Sequence, residues 1–270
     1  MILNVHHEHA YCYTGGKAFD AAKPSAIFIH GAQNDHSVWA LQSRYFAHHG
    51  FNVLAVDLPG HGRSAGPART SVEDMAQWVL ALMDAAGVQQ ALLAGHSMGS
   101  LVALEIARLA PTRVSQLAML GSTYPMKVSD ALLETSRNNE PAAIDMVNIF
   151  SHSSIAHKPS CPGPGFSVMG GARRLMQRMT AINPAQLFHT DFSACNAYAN
   201  GQAAGESVRC PVLFIFGSKD MMTPARSTTT LTRAMPHGRV VMVNAGHALM
   251  AEQPDAVLDA LFAFATGTAQ

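Results

Sequence analysis

The chain has 270 residues, 48% of them hydrophobic, and its eighteen Lys and Arg balance eighteen Asp and Glu. That length suits a large α/β domain or a domain carrying an insertion, and the apolar fraction is enough for a sizeable core. Zero net charge without long like-charged runs argues against electrostatic binding of nucleic acid or an anionic membrane surface. The longest apolar stretches are strand-length, too short to span a bilayer.

The N-terminus, Met1-Ile2-Leu3-Asn4-Val5-His6-His7-Glu8-His9, lacks the basic start and apolar core of a signal peptide, so a cytoplasmic protein is expected. Cys12, Cys161, Cys195 and Cys210 are scattered without a C-x-x-C pair, and free, mostly buried thiols are expected. In an alternating strand His7 and His9 would share a face, but no neighbouring Asp or Cys completes a ligand set. No metal is expected.

Leu3 to Thr14 alternates loosely and ends at Gly15-Gly16, as a strand or hairpin would. Ser25-Ala26-Ile27-Phe28-Ile29 is a short apolar run of the buried parallel kind, ending at His30-Gly31-Ala32. Ser37 to His49 has helical spacing, closed by Gly50. The unit repeats: Val53 to Val56 reads as a strand, Asp57-Leu58-Pro59-Gly60-His61-Gly62-Arg63-Ser64 as a loop, and Ser71 to Ala86 as a helix. Gln90 to Ala94 is the next strand, Met98 to Leu109 the next helix, and Val114 to Leu120 a further strand. Such alternation requires crossover connections and predicts an α/β fold, a mostly parallel doubly wound sheet covered on both faces.

From 122 to 208 the rhythm changes to helices with irregular connections. Asn139-Glu140-Pro141 reads as a helix start, Pro159-Ser160-Cys161-Pro162-Gly163-Pro164-Gly165 as a loop, and Gly171 to Ile182 and Pro184 to Asn196 as two helices. The segment is expected to be a helical cap inserted between core segments 1–121 and 209–270. Strand–helix alternation resumes with Pro211 to Phe216, then Gly217-Ser218-Lys219-Asp220, a helix from Pro224 to Met235, the strand Arg239 to Val243, Asn244-Ala245-Gly246-His247, and a terminal helix carrying Ala256 to Phe264.

Gly95-His96-Ser97-Met98-Gly99 lies between a strand-like and a helix-like run, which is the nucleophile-elbow pattern. A serine there occupies a strained turn, and side chains two positions away on either side would collide. A serine hydroxyl needs a positioned base, itself oriented by a third group. Asp220 follows one late strand and His247 the last, giving the order Ser, Asp, His that this arrangement of strands expects.

These motifs, with His30-Gly31 and the Asp57 to Ser64 loop, resemble the α/β-hydrolase fold superfamily, cap-bearing and esterase-like, over essentially the whole chain. The resemblance implies that Ser97 is the nucleophile, His247 the general base and then acid, and Asp220 its orienting partner. It implies further that backbone N–H groups of Ala32 and Met98 form the oxyanion hole. Asp57 resembles a structural turn of that family; His96 is expected to be a packed elbow residue rather than a second base, and His30 to support the oxyanion loop through a hydrogen bond.

Residues adjoining the motifs, Trp39, Met221, Met222 and Leu249, with Met98 and Met250, suggest an apolar substrate pocket. Arg173, Arg174 and Arg178 are read as a solvated helix face rather than a carboxylate site. The expected function is a cofactor-free serine hydrolase, a carboxylesterase cleaving a small ester through an acyl-enzyme. Alternatives are a carbon–carbon bond hydrolase, lactonase or perhydrolase using the same groups, or a non-catalytic binding protein on a hydrolase fold. A serine rather than an aspartate at the elbow argues against dehalogenase or epoxide hydrolase chemistry. The expected partner is a small acyl substrate, with no nucleic acid or membrane, in a monomer or homodimer.

Overall fold

The computed structural model describes residues 1–20, 22–153 and 167–268. The loop expected at Pro159 to Gly165, with Cys161, lies outside the described residues.

Eight strands form one sheet in the order β1-β2-β4-β3-β5-β6-β7-β8. Strands β1 (Ile2–Val5) and β2 (Glu8–Tyr13) form an antiparallel hairpin, and β2 also pairs antiparallel with β4 (Asn52–Val56). The rest, β3 (Ser25–Ile29), β5 (Ala91–His96), β6 (Val114–Leu120), β7 (Val212–Gly217) and β8 (Arg239–Val243), run parallel. His7 sits in the hairpin turn with φ 68°, so it does not share a strand face with His9.

Continuous apolar strands bury both faces. In β3, Ile27 and Ile29 point into one core layer while Ala26 and Phe28 point into the other. Helices α1 (Ala40–His48), α2 (Val72–Ala85) and α3 (Met98–Leu109) follow β3, β4 and β5 respectively. Leu82 of α2 and Leu101 of α3 pack on the first layer, and Phe46 of α1 on the second. Ser71 caps α2, its side chain accepting from Asp74 N at 3.1 Å. The helix expected from Ser37 begins instead as a 3-10 turn, His36–Trp39, because Asp35 accepts from Ser37 N and tightens the entry.

Among the described residues five helices lie between β6 and β7: α4 (Asp130–Asn138), α5 (Glu140–Ser151), α6 (Val168–Ile182), α7 (Leu187–Ala197) and α8 (Gly201–Ser207). The first four share a small core of their own, including Leu132, Ile144, Met176, Phe188 and Phe192. The single helix expected over Pro224 to Met235 is two short pieces, the 3-10 turn Ala225–Ser227 and α9 (Thr229–Ala234). Thr228 marks the break, its hydroxyl bonding back to Ala225 O rather than extending the first turn. The chain ends with α10 (Leu249–Glu252) and α11 (Pro254–Thr266), the latter packed on the second layer. Among the described residues Cys12, Cys195 and Cys210 are free, and no helix is long and apolar enough to cross a membrane.

Strands β4 and β5 flank β3 on opposite sides, although both follow it in the chain. That reversal opens a crevice beyond the carboxyl ends of β3 and β5, the place where open α/β sheets bind ligands. His30-Gly31-Ala32 and Ser97 emerge there.

Candidate active site

Ser97 stands between β5 and α3 with φ 52° and ψ −119°, a conformation that side chains rarely adopt. The flanking glycines make it possible. A Cβ on Gly95 would run into the carbonyl of Gly99, and one on Gly99 into the carbonyls of Ile29 and His30. The turn is pinned from the neighbouring strand, since Ser97 N donates to Leu120 O at 2.9 Å. Its strained backbone aims the side chain into a cavity of about 820 Å³, which Ser97 lines together with Gly31, Ala32 and His247.

His247 reaches the cavity from the loop after β8, and Asp220 lies behind it after β7. His247 Nδ1 donates to Asp220 Oδ2 at 2.8 Å, which leaves Nε2 as the ring's free lone pair. Asp220 also accepts at Oδ1 from the N–H groups of Met222 and Thr223, both 2.8 Å, and at Oδ2 from Thr223 Oγ1 at 2.7 Å. Burial alone would raise the Asp220 carboxyl. The His247 charge and these hydrogen bonds outweigh it and hold the group well below the usual carboxylate range. The aspartate is therefore ionised and fixed, and it fixes the histidine tautomer.

Ala32 and Met98 follow the carboxyl ends of the neighbouring strands β3 and β5. Met98 is the first residue of α3, where an N–H has no intrahelical acceptor and the helix dipole favours negative charge. Ala32 lines the cavity, and its carbonyl accepts from Asn34 Nδ2 at 2.9 Å. Gly31 brings this loop close: a Cβ there would sit 3.2 Å from the Ser97 Cβ.

Three further histidines support the loops. His30 donates from Nδ1 to Gly31 O at 2.8 Å and accepts from Leu58 N at 3.2 Å, so it is a neutral brace between two loops. Burial and the adjacent His61 push it down to about 4. His96 Nε2 donates to His247 O at 2.9 Å, and burial with the nearby His247 pushes it down to about 3. Besides packing at the elbow, His96 thus ties that turn to the histidine loop. Asp57 accepts from His36 N, His36 Nδ1 and Arg63 N, which is the bonding of a structural turn. Asp35, His36 and Asp57 bring possible metal ligands within 4.8 Å of one another, but these bonds already occupy both Asp57 oxygens.

The pocket expectation needs correction at three positions. Trp39 is fully buried in the second core layer, where it packs on Phe28 at 5.2 Å between ring centroids, and Leu249 is buried in the same layer. Met221 points outward and is 65% exposed. Of the four, only Met222 lines the cavity, joined by Met250. Further apolar lining includes Val38, Leu41 of α1, and Val147, Leu175, Met176 and Phe192 of the inserted helices. Proximity in sequence was a poor guide because neighbours in a loop or helix point in different directions. Arg173 pairs with Asp145 and Arg178 lies 4.0 Å from Asp35, and none of the three arginines lines the cavity. Among the described residues no Asp, Glu, Lys or Arg does so.

Residues 26–260 match the model of the alpha/beta hydrolase family, and the chain belongs to that family. It is 28% identical over 249 residues to the dihydrolipoyllysine-residue acetyltransferase component of the acetoin cleaving system of Pseudomonas putida. That match covers 88% of this chain but 62% of the relative, so the chain spans less than two thirds of that protein's length. It is 25% identical to the (E)-2-((N-methylformamido)methylene)succinate hydrolase of Acinetobacter baylyi, over 88% of this chain and 89% of that one. The enol-lactonase of Burkholderia xenovorans superposes with a TM-score of 0.80 at 20% identity, covering 98% of this chain and all of the other, and so shares the fold. Family membership and the shared fold place the protein among the alpha/beta hydrolases.

Proposed function

We propose that the protein is a serine hydrolase cleaving a neutral carboxylic ester, with Ser97, His247 and Asp220 as its catalytic residues. The observation that carries this reading is His247, bonded through Nδ1 to an ionised Asp220 and lining one cavity with the strained Ser97. His247 Nε2 takes the Ser97 proton as Oγ attacks the acyl carbon. The resulting oxyanion is held by the N–H groups of Ala32 and Met98. His247 then returns the proton to the departing alcohol, and water releases the acyl group by the same steps in reverse. No cofactor is required.

Inserted helices α4 to α8, within residues 122–208, act as a cap over the core segments 1–121 and 209–270. Of these, α5, α6 and α7 line the cavity together with the mouth of the core, offering aliphatic, Met and Phe side chains to the acyl group beside polar ones such as Asn148 and Ser151. Among the described residues the lining carries no Asp, Glu, Lys or Arg to pair a charged acyl chain, and this favours an uncharged one. The volume lies within the range of pockets for drug-sized ligands, well beyond what an acetyl group fills. A lactone is a cyclic ester and meets the same groups.

The test is hydrolysis of p-nitrophenyl esters and an acyl lactone by wild type and Ser97→Ala, with fluorophosphonate labelling of the folded protein. Turnover should fall by about 10³-fold or more in the variant, and labelling should map to Ser97. Undiminished turnover in Ser97→Ala overturns the mechanism, and a folded wild type that neither labels nor hydrolyses supports a binding protein instead.

A further inference from the structure

Gln33 follows the oxyanion residue Ala32 and is held almost entirely by the inserted helices. Its φ of 57° turns its main-chain N–H away from the sheet, where it donates to Asp191 Oδ2 of α7 at 2.8 Å. Its side-chain Nε2 lies 2.9 Å from Thr180 Oγ1 and 3.1 Å from Met176 O, both on α6, and 3.2 Å from Glu140 Oε1 on α5. Gln33 is fully buried, so no water competes for these groups.

Asp191 is itself buried and anchored from the core side. The same Oδ2 accepts from His61 Nε2 at 2.9 Å, while His61 Nδ1 faces Pro59 O at 3.0 Å. Both ring nitrogens of His61 therefore face acceptors, which only the doubly protonated imidazolium satisfies. Burial opposes that charge, but Asp191 overrides it and raises the group. A carboxylate paired with an imidazolium and a main-chain N–H is a fixed point, unlike a lone polar side chain.

We infer that Asp191 is a positioning residue for the oxyanion hole: through the Gln33 N–H, it and the inserted helices fix the Ala32–Gln33 peptide and, across the Ala32 Cα, the adjoining Gly31–Ala32 peptide that carries the Ala32 N–H. This rests on the reading of Ser97 and Ala32 given above. An oxyanion donor is useful only if it is aimed at the charge that develops in the transition state, and small displacements weaken it without affecting ground-state binding. Asp191 and Gln33 are absent from the cavity lining, so their replacement leaves the acyl contacts in place.

Two variants and two readouts test this. Asp191→Asn keeps the volume and removes the charge that secures His61. Gln33→Gly tolerates the positive φ and removes the side-chain bonds to α5 and α6. Each should lower kcat on a p-nitrophenyl ester by about 10- to 100-fold with KM within about twofold, and weaken a trifluoromethyl ketone, which forms a tetrahedral adduct, by a similar factor. A folded Asp191→Asn or Gln33→Gly protein with kcat within about threefold of wild type overturns the inference. Hydrogen exchange reads the clamp without any turnover: the Gln33 amide should be protected in wild type and exposed in Asp191→Asn. Fast exchange of that amide in wild type overturns the inference even if the enzyme is active. An inactive, unlabelled wild type with a protected Gln33 amide instead defeats the reading of the site while leaving the clamp intact.

Discussion

His96, the residue before the elbow serine, donates its Nε2–H to the main-chain carbonyl of His247 at 2.9 Å, and the two rings lie 4.8 Å apart. The loop that delivers the proposed general base is thus fastened to the same turn that delivers the nucleophile. His247 needs two fixed ends, and Asp220 holds the ring while His96 holds the backbone.

Replacing His96 should separate these two roles. His96→Phe keeps a ring but leaves the buried His247 carbonyl without its donor, which costs about 1–3 kcal/mol of stability. kcat should fall about tenfold, in keeping with a displaced base rather than a lost one. His96→Gln can place an N–H near the Nε2 position and should recover most of both losses. Urea denaturation and ester kinetics on the two variants check this; equal behaviour of Phe and Gln would contradict it.

Histidine burial gives the fold a defined acid sensitivity. His30 and His96 are pushed down to about 4 and about 3 from 6.5, so between pH 6.5 and 4 the unfolded chain binds protons that these folded groups refuse. Stability therefore falls as pH drops through that window, by up to about 1.4 kcal/mol per pH unit for each proton. His61 is raised and acts in the opposite sense, its contribution being full below 6.5 and lost as pH rises through its folded value. Asp57 and Asp220 are lowered, and their stabilisation is lost only as pH falls below the unfolded value of 3.8. Urea midpoints between pH 7.5 and 4.5 should fall with acid, and His96→Gln should flatten the slope. An unchanged slope in that variant would show that His96 is not the group responsible.

Acyl length reads the cavity. Each methylene buried against Val147, Leu175, Met176 and Phe192 is worth about 0.8 kcal/mol, or roughly fourfold in kcat/KM, until the space is filled. Activity on p-nitrophenyl esters should rise from acetyl to a medium chain, and an acyl chain ending in a carboxylate should be poorer by about 100-fold or more. Leu175→Trp should remove most of the long-chain gain and leave acetyl ester turnover near wild type. A maximum at acetyl in wild type would contradict the neutral, extended acyl pocket.

The elbow is legible in five residues because Gly95 and Gly99 answer a local demand: the strained turn leaves no room for a Cβ on either side. The parallel sheet is equally legible, since runs such as Ser25 to Ile29 bury both faces and need crossover helices to do so. The pocket is not. Trp39 and Leu249 sit next to site loops in the chain yet face the core, because direction is set by helix phase rather than by sequence distance. Leu175 and Phe192 lie far from every motif and reach the cavity only through the packing of α6 and α7.

By itself the sequence determined the order of strands and helices, the strained serine turn, and which Asp and His end late strands, because each follows from local sterics or periodicity. Tertiary structure alone decided what meets across long separations. Asp191 joins His61 and Gln33 across 130 and 158 residues, and no local pattern encodes such a contact. A buried carboxylate is stable only where charged and N–H partners converge on it, and that convergence belongs to the folded chain.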